Sequence, residues 1–225
     1  DNSNLWSNLG VCYRTAHMLP KARDCFIKSL MLGDQAPTYS NLACTYVNEN
    51  DPEKGLKWAL MGMEKDANHP SIKWNSGLLY LELEDWDKGF TFYEAGLFCN
   101  ERPMRSYANT SGEDAVWWDG SSPGNLVLWD EQGLGDRIMF VSLINKLKGR
   151  VNVILECHAR LGTIYRRSFP WIEHIYPTSK QDHIDWPKEH RLDWKLPVAS
   201  LAKVFWTDGD FDRRPYLTPD PELVK

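Results

Sequence analysis

The chain has 225 residues, enough for two domains that each bury a core of their own. A formal net charge of -5 provides no basic excess for a nucleic-acid backbone, and no apolar run reaches the roughly 18 residues of a membrane span. We therefore expect neither a nucleic-acid partner nor a membrane span. The 5 cysteines are scattered, with no CxxC pair and no metal-ligand spacing, which predicts no metal site and favours a reducing, cytoplasmic compartment.

A repeat occupies the first hundred residues. Leu9-Gly10 with Tyr13, Leu42-Ala43 with Tyr46, and Ser76-Gly77 with Tyr80 recur at steps of 33 and 34 residues. The first unit also has the spacing W-x2-L-G-x2-Y and then A-x3-F, formed by Trp6, Leu9, Gly10, Tyr13, Ala22 and Phe26. This pattern resembles the tetratricopeptide repeat, which implies three helical hairpins over residues 1–100. Turns are predicted at His17–Pro20, Asn50–Pro52 and Glu84–Asp87.

The resemblance also implies a concave face, lined by the first helix of each hairpin, that holds peptides or a neighbouring domain. We place on this face Ser7, Val11, Arg14, Ser40, Cys44, Val47, Trp74, Leu78 and Leu81. The set is mostly apolar and lacks the Lys and Asn pattern by which some relatives hold a C-terminal carboxylate. Apolar patches of this size are rarely left bare, so we expect a covering partner. It is a protein or peptide, or more of the same polypeptide or assembly, and a homo-oligomer stays open.

Residues 101–124 lose the helical period and contain several chain breakers, which predicts a packed linker. The breakers are Arg102-Pro103, Asn109–Gly112 and Ser121–Gly124. Between them, the adjacent Trp117 and Trp118 are predicted to be buried against both neighbouring domains. The alternative is an aromatic platform on which a sugar ring stacks.

Apolar runs and helical patterns alternate through residues 125–225. The predicted strands are Leu126–Trp129, Val151–Leu155, Ile172–Tyr176 and Leu192–Leu196. The predicted helical segments are Arg137–Lys148, Ala159–Ser168 and Val198–Phe205. This order favours a Rossmann-like α/β domain, with a parallel sheet covered by helices on both faces.

The segment Asn125–Asp136 carries a strand, a glycine-bracketed loop and the start of a helix. Such a segment places backbone N–H groups and a positive helix end at the carboxyl edge of a sheet, where ligands bind. We expect Gly133 and Gly135 to be required for a tight turn and for close approach of a ligand to the backbone.

Three interpretations of this loop are open. A dinucleotide site requires G-x-G-x-x-G and an acidic residue about 20 positions later. Glu156 fits that acidic position. However, Ile138 replaces the third glycine, and the loop carries the acidic residues Glu131 and Asp136 where a pyrophosphate would prefer neutral or basic neighbours. A structural interpretation makes Asp136 the N-cap of the helix, with Glu156 as no more than a strand-end carboxylate.

The third interpretation rests on a resemblance. The motifs that carry it are W-D-G and L-V-L-W-D-E-Q-G-L-G-D-R-I-M-F within Trp118–Phe140, V-I-L-E-C at Val153–Cys157, and the segments Leu192–Leu201 and Pro215–Pro221. They resemble bacterial proteins that join tetratricopeptide repeats to a GT-B glycosyltransferase-like region, and the heptosyltransferases have a related G-D loop. The resemblance implies that this is the acceptor-binding half of a sugar-transfer enzyme and that Asp136 is the general base. It further implies an acceptor site at Glu131, Gln132, Gly133, Leu134 and Gly135.

The same resemblance implies a nucleotide sugar as the donor for a full-length relative, bound mainly by a second Rossmann domain. That domain would begin near Lys225, so we expect no cofactor in this chain and no activity from it alone. The missing domain is also a candidate partner. The competing hypothesis is a non-catalytic protein-binding module with a degenerate Rossmann-like extension.

Several histidines and arginines in the second half of the chain belong to no functional motif. His158, His174, His183 and His190 have no metal-ligand spacing and are interpreted as surface histidines. Arg166-Arg167 and Arg213-Arg214 are interpreted as solvated, with a phosphate contact and an interdomain contact as the respective alternatives.

Overall fold

The computed structural model describes residues 2–108, 112–179, 186–206 and 214–223. The chain divides into two compact units, Asp1–Arg102 and Pro103–Lys225. The first unit is an array of helical hairpins and the second contains a small parallel sheet with short helices. This order confirms the fold class that the sequence predicts.

The first unit consists of three helical hairpins. Its helices are α1 (Asn2–Thr15), α2 (Leu19–Leu32), α3 (Ala36–Glu49), α4 (Pro52–Lys65), α5 (Pro70–Glu82) and α6 (Trp86–Tyr93), followed by a 3-10 turn at Glu94–Leu97. Proline stands at the first or second position of α2, α3, α4 and α5, where its missing N–H is not needed. The side chains of Asp51 and Asp85 cap α4 and α6 by accepting backbone N–H groups three residues later.

The turns inside the hairpins repeat with the sequence. His17, Asn50 and Glu84, which follow α1, α3 and α5, each have a left-handed backbone, with φ of 56°, 57° and 61°. They are spaced by the same 33 and 34 residues as the sequence repeat. The repeated conformation therefore follows from the repeated sequence, even though none of these residues is a glycine.

Small residues let the paired helices approach closely. A Cβ on Gly10 would lie 2.6 Å from the ring of Phe26, and one on Gly77 would lie 2.8 Å from the backbone nitrogen of Tyr93. Around these contacts, two clusters of buried side chains fill the hairpins. Their buried members are Ala22, Phe26, Leu42 and Tyr46 in one, and Ala43, Ala59, Ile72 and Leu79 in the other.

The second unit is built on a sheet of five strands, all parallel. The strands are β1 (Val116–Trp117), β2 (Asn125–Trp129), β3 (Asn152–His158), β4 (His174–Thr178) and β5 (Trp194–Pro197), in the spatial order β1-β5-β2-β3-β4. The helices are α7 (Leu134–Val141), α8 (Gly162–Ser168) and α9 (Leu201–Phe205), and 3-10 turns lie at Ser142–Leu147, Ala159–Leu161, Trp186–Glu189 and Val198–Ser200.

Four of these strands overlap the predicted ones, and the alternation with helices is confirmed. The sequence does not predict β1, because two residues that pair only with β5 leave no apolar alternation to detect. β3 continues to His158, beyond the predicted end at Leu155, since its last residues pair with β4.

One face of the sheet differs from the prediction of helices on both sides. Val127, Trp129 and Ile154 pack in one cluster with Tyr107 and Ala115, which lie in an irregular segment, and with Trp186 and Leu192. Aromatic side chains from loops therefore cover this face where a helix was expected. Within the described ranges, no helix has both the length and the apolar content needed to cross a membrane.

Candidate functional site

The loop between β2 and α7 lies at the carboxyl edge of the sheet, as predicted. β2 ends at Trp129 and α7 begins at Leu134, with Gly133 as the N-cap. Asp136 is the third residue of the helix, and its Oδ2 accepts the backbone N–H of Gly133 at 3.2 Å. The structural interpretation of Asp136 as the N-cap itself is therefore wrong by three positions, because the helix begins earlier than its apolar pattern suggests.

Gln132 gives this loop its sharp turn. Its φ of 71° is left-handed, whereas the φ of Gly133 is -71° and Gly135 lies in the first turn of α7. A Cβ on Gly135 would meet nothing within 4 Å, and one on Gly133 would meet only the Asp136 carboxylate at 3.0 Å. The expectation that the glycines are needed for the turn is thus wrong. Their predicted role in giving a ligand access to the backbone stays a prediction.

Arg137 and Asp130 hold the loop in this conformation. The Arg137 Nε donates to the carbonyl of Gln132 at 2.8 Å, and its guanidinium pairs with the Asp130 carboxylate at 2.7 Å. Asp130 also accepts the backbone N–H of His158 at the end of β3, at 2.9 Å. Burial raises the pKa of Asp130 above its ordinary value, against the opposing effects of the His158 N–H and Arg137. The sequence offered a signal for this pair, a carboxylate at a strand end with an arginine one helical turn into the next helix.

The candidate acceptor residues differ in their exposure. Glu131 is buried, Gln132, Leu134 and Asp136 are half-buried, and Gly133 and Gly135 are exposed. The backbone atoms of the two glycines therefore form much of the surface that this loop exposes to solvent. The first-turn N–H groups of a helix have no acceptor within the helix, so this surface offers hydrogen-bond donors and the positive end of the helix dipole.

Glu156 is engaged by other side chains of the same unit. Tyr107 donates its hydroxyl to Glu156 Oε2 at 2.6 Å, Thr178 donates to Oε1 at 3.1 Å, and the Arg105 guanidinium lies 3.2 Å from Oε1. The residue is 2% exposed. These partners favour the structural interpretation of Glu156 over a role in binding a ribose. Burial and the Glu156 charge raise the pKa of Tyr107 well above its ordinary value.

The two tryptophans of the segment 103–124 have different environments. Trp118 is buried, and its Nε1 donates to the carbonyl of Ser122 at 2.9 Å. Trp117 is 38% exposed, and Lys195 Nζ lies 5.3 Å from the centre of its ring. Lys195 is itself buried and forms an ion pair with Asp114. The predicted burial is therefore confirmed for Trp118 and wrong for Trp117, whose pairing in the short edge strand β1 leaves its ring exposed, and the sugar platform at Trp117 stays a prediction.

The predicted concave face brings polar groups of adjacent first helices together. Arg14 of α1 donates to the thiol of Cys44 on α3 at 2.9 Å, and the Asn75 amide of α5 donates to the carbonyl of Ser40 on α3 at 3.0 Å. Burial raises the pKa of the Cys44 thiol above its ordinary value. The Nε of Arg14 is shielded from solvent and has no hydrogen-bond partner among the residues that the structure describes.

The apolar members of this face also pack inside the hairpins. Trp74 lies against Tyr93, with ring centres 4.8 Å apart, and Leu81 packs against Gly89 of α6. Val11 and Val47 lie at the margins of the two core clusters. Leu78, like these four side chains, is half-buried. Part of the apolar character that the sequence assigns to a ligand face therefore serves the hairpins themselves.

The remaining basic and histidine candidates have local partners. His158 accepts the backbone N–H of Arg160, Arg166 donates to the Ile175 carbonyl, and Arg167 pairs with Asp220. His174 and His190 lie 4.5 Å apart between ring centres. His183 and Arg213 lie outside the described residues. Over the described ranges no group of three or more His, Cys, Asp or Glu side chains could hold a metal ion.

Comparison with known proteins gives matches among solved structures. No family model matches the chain, and no curated protein matches it. The Sgt2 TPR domain from Aspergillus fumigatus aligns with 44% of this chain and 66% of its own, at 20% identity and a TM-score of 0.41. PcrH from Pseudomonas aeruginosa aligns with 42% of this chain and 73% of its own, at 21% identity and a TM-score of 0.40.

An O-GlcNAc transferase from Thermobaculum terrenum also matches, over 79% of this chain, at 14% identity and a TM-score of 0.39. This chain spans 35% of that transferase's length. The fold class of the present protein rests on its own helix order, turn geometry and strand pairing, which define helical repeats of the tetratricopeptide kind followed by a parallel α/β sheet.

Proposed function

We propose that this chain is the acceptor-binding half of a glycosyltransferase-like protein of GT-B type, in which tetratricopeptide repeats recognise a polypeptide. The observation that carries the proposal is the exposed glycine backbone at the start of α7, located at the carboxyl edge of a parallel sheet. Parallel α/β sheets bind ligands at this edge. In a full-length relative the donor is a nucleotide sugar held by a second Rossmann domain.

In this proposal each part of the loop has a distinct role. The open space above Gly135 admits an acceptor to the helix N-terminus, where backbone N–H groups bind its oxygen atoms. Asp136 is half-buried beside that space, and its carboxylate removes the proton from the acceptor hydroxyl. Gln132 contributes an amide whose nitrogen is shielded from solvent and has no hydrogen-bond partner among the described residues.

The test is Asp136→Asn in the full-length protein, assayed by mass spectrometry for sugar transfer from a panel of nucleotide sugars. We expect transfer to fall by at least about a hundredfold, the usual contribution of a general base, with an unchanged circular dichroism spectrum. The matched control is Asp87→Asn, which removes the same charge from the first turn of α6. Retained transfer in Asp136→Asn would exclude Asp136 as the base.

A non-catalytic binding module is the second candidate, and the incompletely bonded Arg14 favours it. A carboxylate of a bound polypeptide would supply the acceptor that the Arg14 Nε lacks, at a site partly shielded from water. We expect Arg14→Ala to weaken binding of acidic peptides about tenfold, measured by fluorescence polarisation, while Lys57→Ala on the exposed surface of α4 leaves it unchanged. Peptide binding without any sugar transfer by the full-length protein would favour this candidate over the enzyme.

The cysteines support a proposal for the compartment. Cys12, Cys25, Cys44, Cys99 and Cys157 are all free thiols. Free and partly buried thiols are usual in a reducing environment, and we therefore propose the cytoplasm.

A further inference from the structure

A cavity of about 620 Å³ opens at the edge of the sheet opposite to the candidate acceptor loop. It lies at the amino ends of β2, β3 and β4, and residues from the turns that precede these strands complete its wall. Its side chains are largely polar: Asn125, Lys148, Arg150, Asn152, Trp171, Glu173, His174 and His190. The volume is in the range of small-molecule sites, and the polar lining suits a hydrophilic ligand.

Three of these side chains are held in place by hydrogen bonds to their neighbours. The Asn152 amide donates to Asn125 Oδ1 at 3.1 Å, and the Asn125 amide donates to the Arg191 carbonyl at 2.8 Å. Trp171 donates its indole N–H to Asn145 Oδ1 at 3.2 Å. These bonds engage both the oxygen and the nitrogen of the Asn125 amide and the indole N–H of Trp171, and they hold the three side chains in the wall, so a ligand would meet a preorganised surface.

The charges around the cavity favour an anion. Lys148 and Arg150 contribute two cations from the turn before β3, and Glu173 is the carboxylate among the lining residues. His190 is hydrogen-bonded through Nε2 to the Tyr176 hydroxyl at 2.6 Å. Burial, together with the neighbouring His174, lowers the pKa of His190 below its ordinary value, against the opposing charges of Glu189 and Glu173. Because a nearby negative charge stabilises imidazolium, a bound anion would reverse that shift.

We propose that this cavity is a binding site for a saccharide that carries a negative charge. The amide hydrogens and lone pairs that these bonds leave unused on Asn125 and Asn152 match the donors and acceptors of sugar hydroxyls. The half-buried Trp171 presents an aromatic ring to the apolar side of a pyranose. Lys148 and Arg150 pair with a phosphate or carboxylate substituent. The site shares no residue with the loop Glu131–Asp136 and does not depend on the function proposed for that loop.

Isothermal titration calorimetry with glucose 6-phosphate tests the proposal, with glucuronate, glucose and inorganic phosphate as separate arms. We expect both anionic sugars to bind at least about tenfold more tightly than glucose or phosphate alone. Glucose lacks the group that pairs with the cations, and phosphate lacks the sugar that contacts the amides and the aromatic ring. The paired change Lys148→Ala with Asn152→Ala should weaken glucose 6-phosphate by about tenfold. Lys203→Ala, which removes a cation from the exposed side of α9, should leave the affinity unchanged.

Imidazole resonances provide a readout that reports the place of binding. With glucose 6-phosphate bound at fixed pH, the imidazole NMR resonances of His174 and His190 should shift, because both side chains line the cavity, whereas that of His17 in the first unit should not. Equal affinity for glucose and glucose 6-phosphate would overturn the requirement for charge, and equal affinity for phosphate would overturn the requirement for a sugar. Absence of binding in all arms, or binding without a change at these two histidines, would overturn the site.

Discussion

Gly135→Ala separates a ligand-access role of this glycine from a structural one. A Cβ at this position meets no atom within 4 Å, and the residue lies in the first turn of α7 without a left-handed φ. Alanine reduces the freedom of the unfolded chain and is the better helix former. We therefore expect the substitution to stabilise the second unit by about 0.5 kcal/mol, which is about 2 °C in melting temperature.

Gly149→Ala is the matched control for that stability measurement. Its Cβ would also meet nothing within 4 Å, but the φ of Gly149 is 79°. A left-handed conformation costs an alanine about 1 kcal/mol, so urea denaturation should show opposite signs for the two variants. Equal destabilisation by both substitutions would refute the reasoning, because steric space would then be a poor guide to this loop.

The functional part of the same prediction uses the full-length protein. If an acceptor approaches the helix N-terminus over Gly135, the added methyl group should lower transfer or acceptor affinity about tenfold while stability rises. Loss of function together with a gain in stability cannot come from damage to the fold. Unchanged acceptor binding in Gly135→Ala would show that the ligand does not use the space above this glycine.

Three further predictions concern stability. Gly77→Ala should lower the free energy of unfolding by about 2 kcal/mol or more, because the new Cβ would lie 2.8 Å from the backbone nitrogen of Tyr93, which cannot rotate away. A loss below about 0.5 kcal/mol in urea denaturation would contradict that close approach. Tyr107→Phe should cost about 1–3 kcal/mol, since it leaves the buried Glu156 carboxylate without its 2.6 Å hydrogen bond; a neutral result would mean that the other donors suffice. Burial lowers the pKa of His190 from 6.5, so its neutral form stabilises the fold above that pH, and this contribution is lost as the pH falls through the lowered pKa. His190→Gln should therefore flatten the dependence of the unfolding free energy on pH below pH 6.5, and an unchanged slope would assign that dependence to other groups.

The helical repeats could be predicted in detail because each feature occurs three times. A small residue near a tyrosine is weak evidence for a helical hairpin when it occurs once, but its recurrence at a constant spacing indicates a repeat. The left-handed residues at the hairpin turns escaped prediction although they recur too. Histidine and asparagine adopt a left-handed backbone more often than most residues but glutamate does not, so residue type alone does not mark these three positions.

The second unit shows where local patterns stop being informative. Long apolar strands such as β3 were predicted, whereas β1 was not, because its two residues are selected by pairing with β5 and carry no period of their own. The sequence also does not predict that Tyr107 and its neighbours pack on one face of the sheet, because these side chains follow no local pattern. An aromatic residue in an irregular segment gives no indication of which face it will cover, and for Tyr107 that depends on ring contacts with Trp129 and Trp186, which lie far away along the chain.

The sequence correctly predicts where the candidate loop lies in the sheet, but it assigns the sharp turn to the wrong residues. Glycines led the sequence analysis to the edge of the sheet, yet the sharp turn is made by Gln132 and held by the Arg137 guanidinium, which binds the Gln132 carbonyl and the Asp130 carboxylate. These charged partners hold the backbone of the loop, and a side chain at Gly135 would meet no other atom, so the fold has no steric need for glycine there. A glycine without a steric role, at the edge of the sheet where parallel α/β domains bind ligands, is consistent with the ligand access proposed for this loop, and Gly135→Ala tests that proposal.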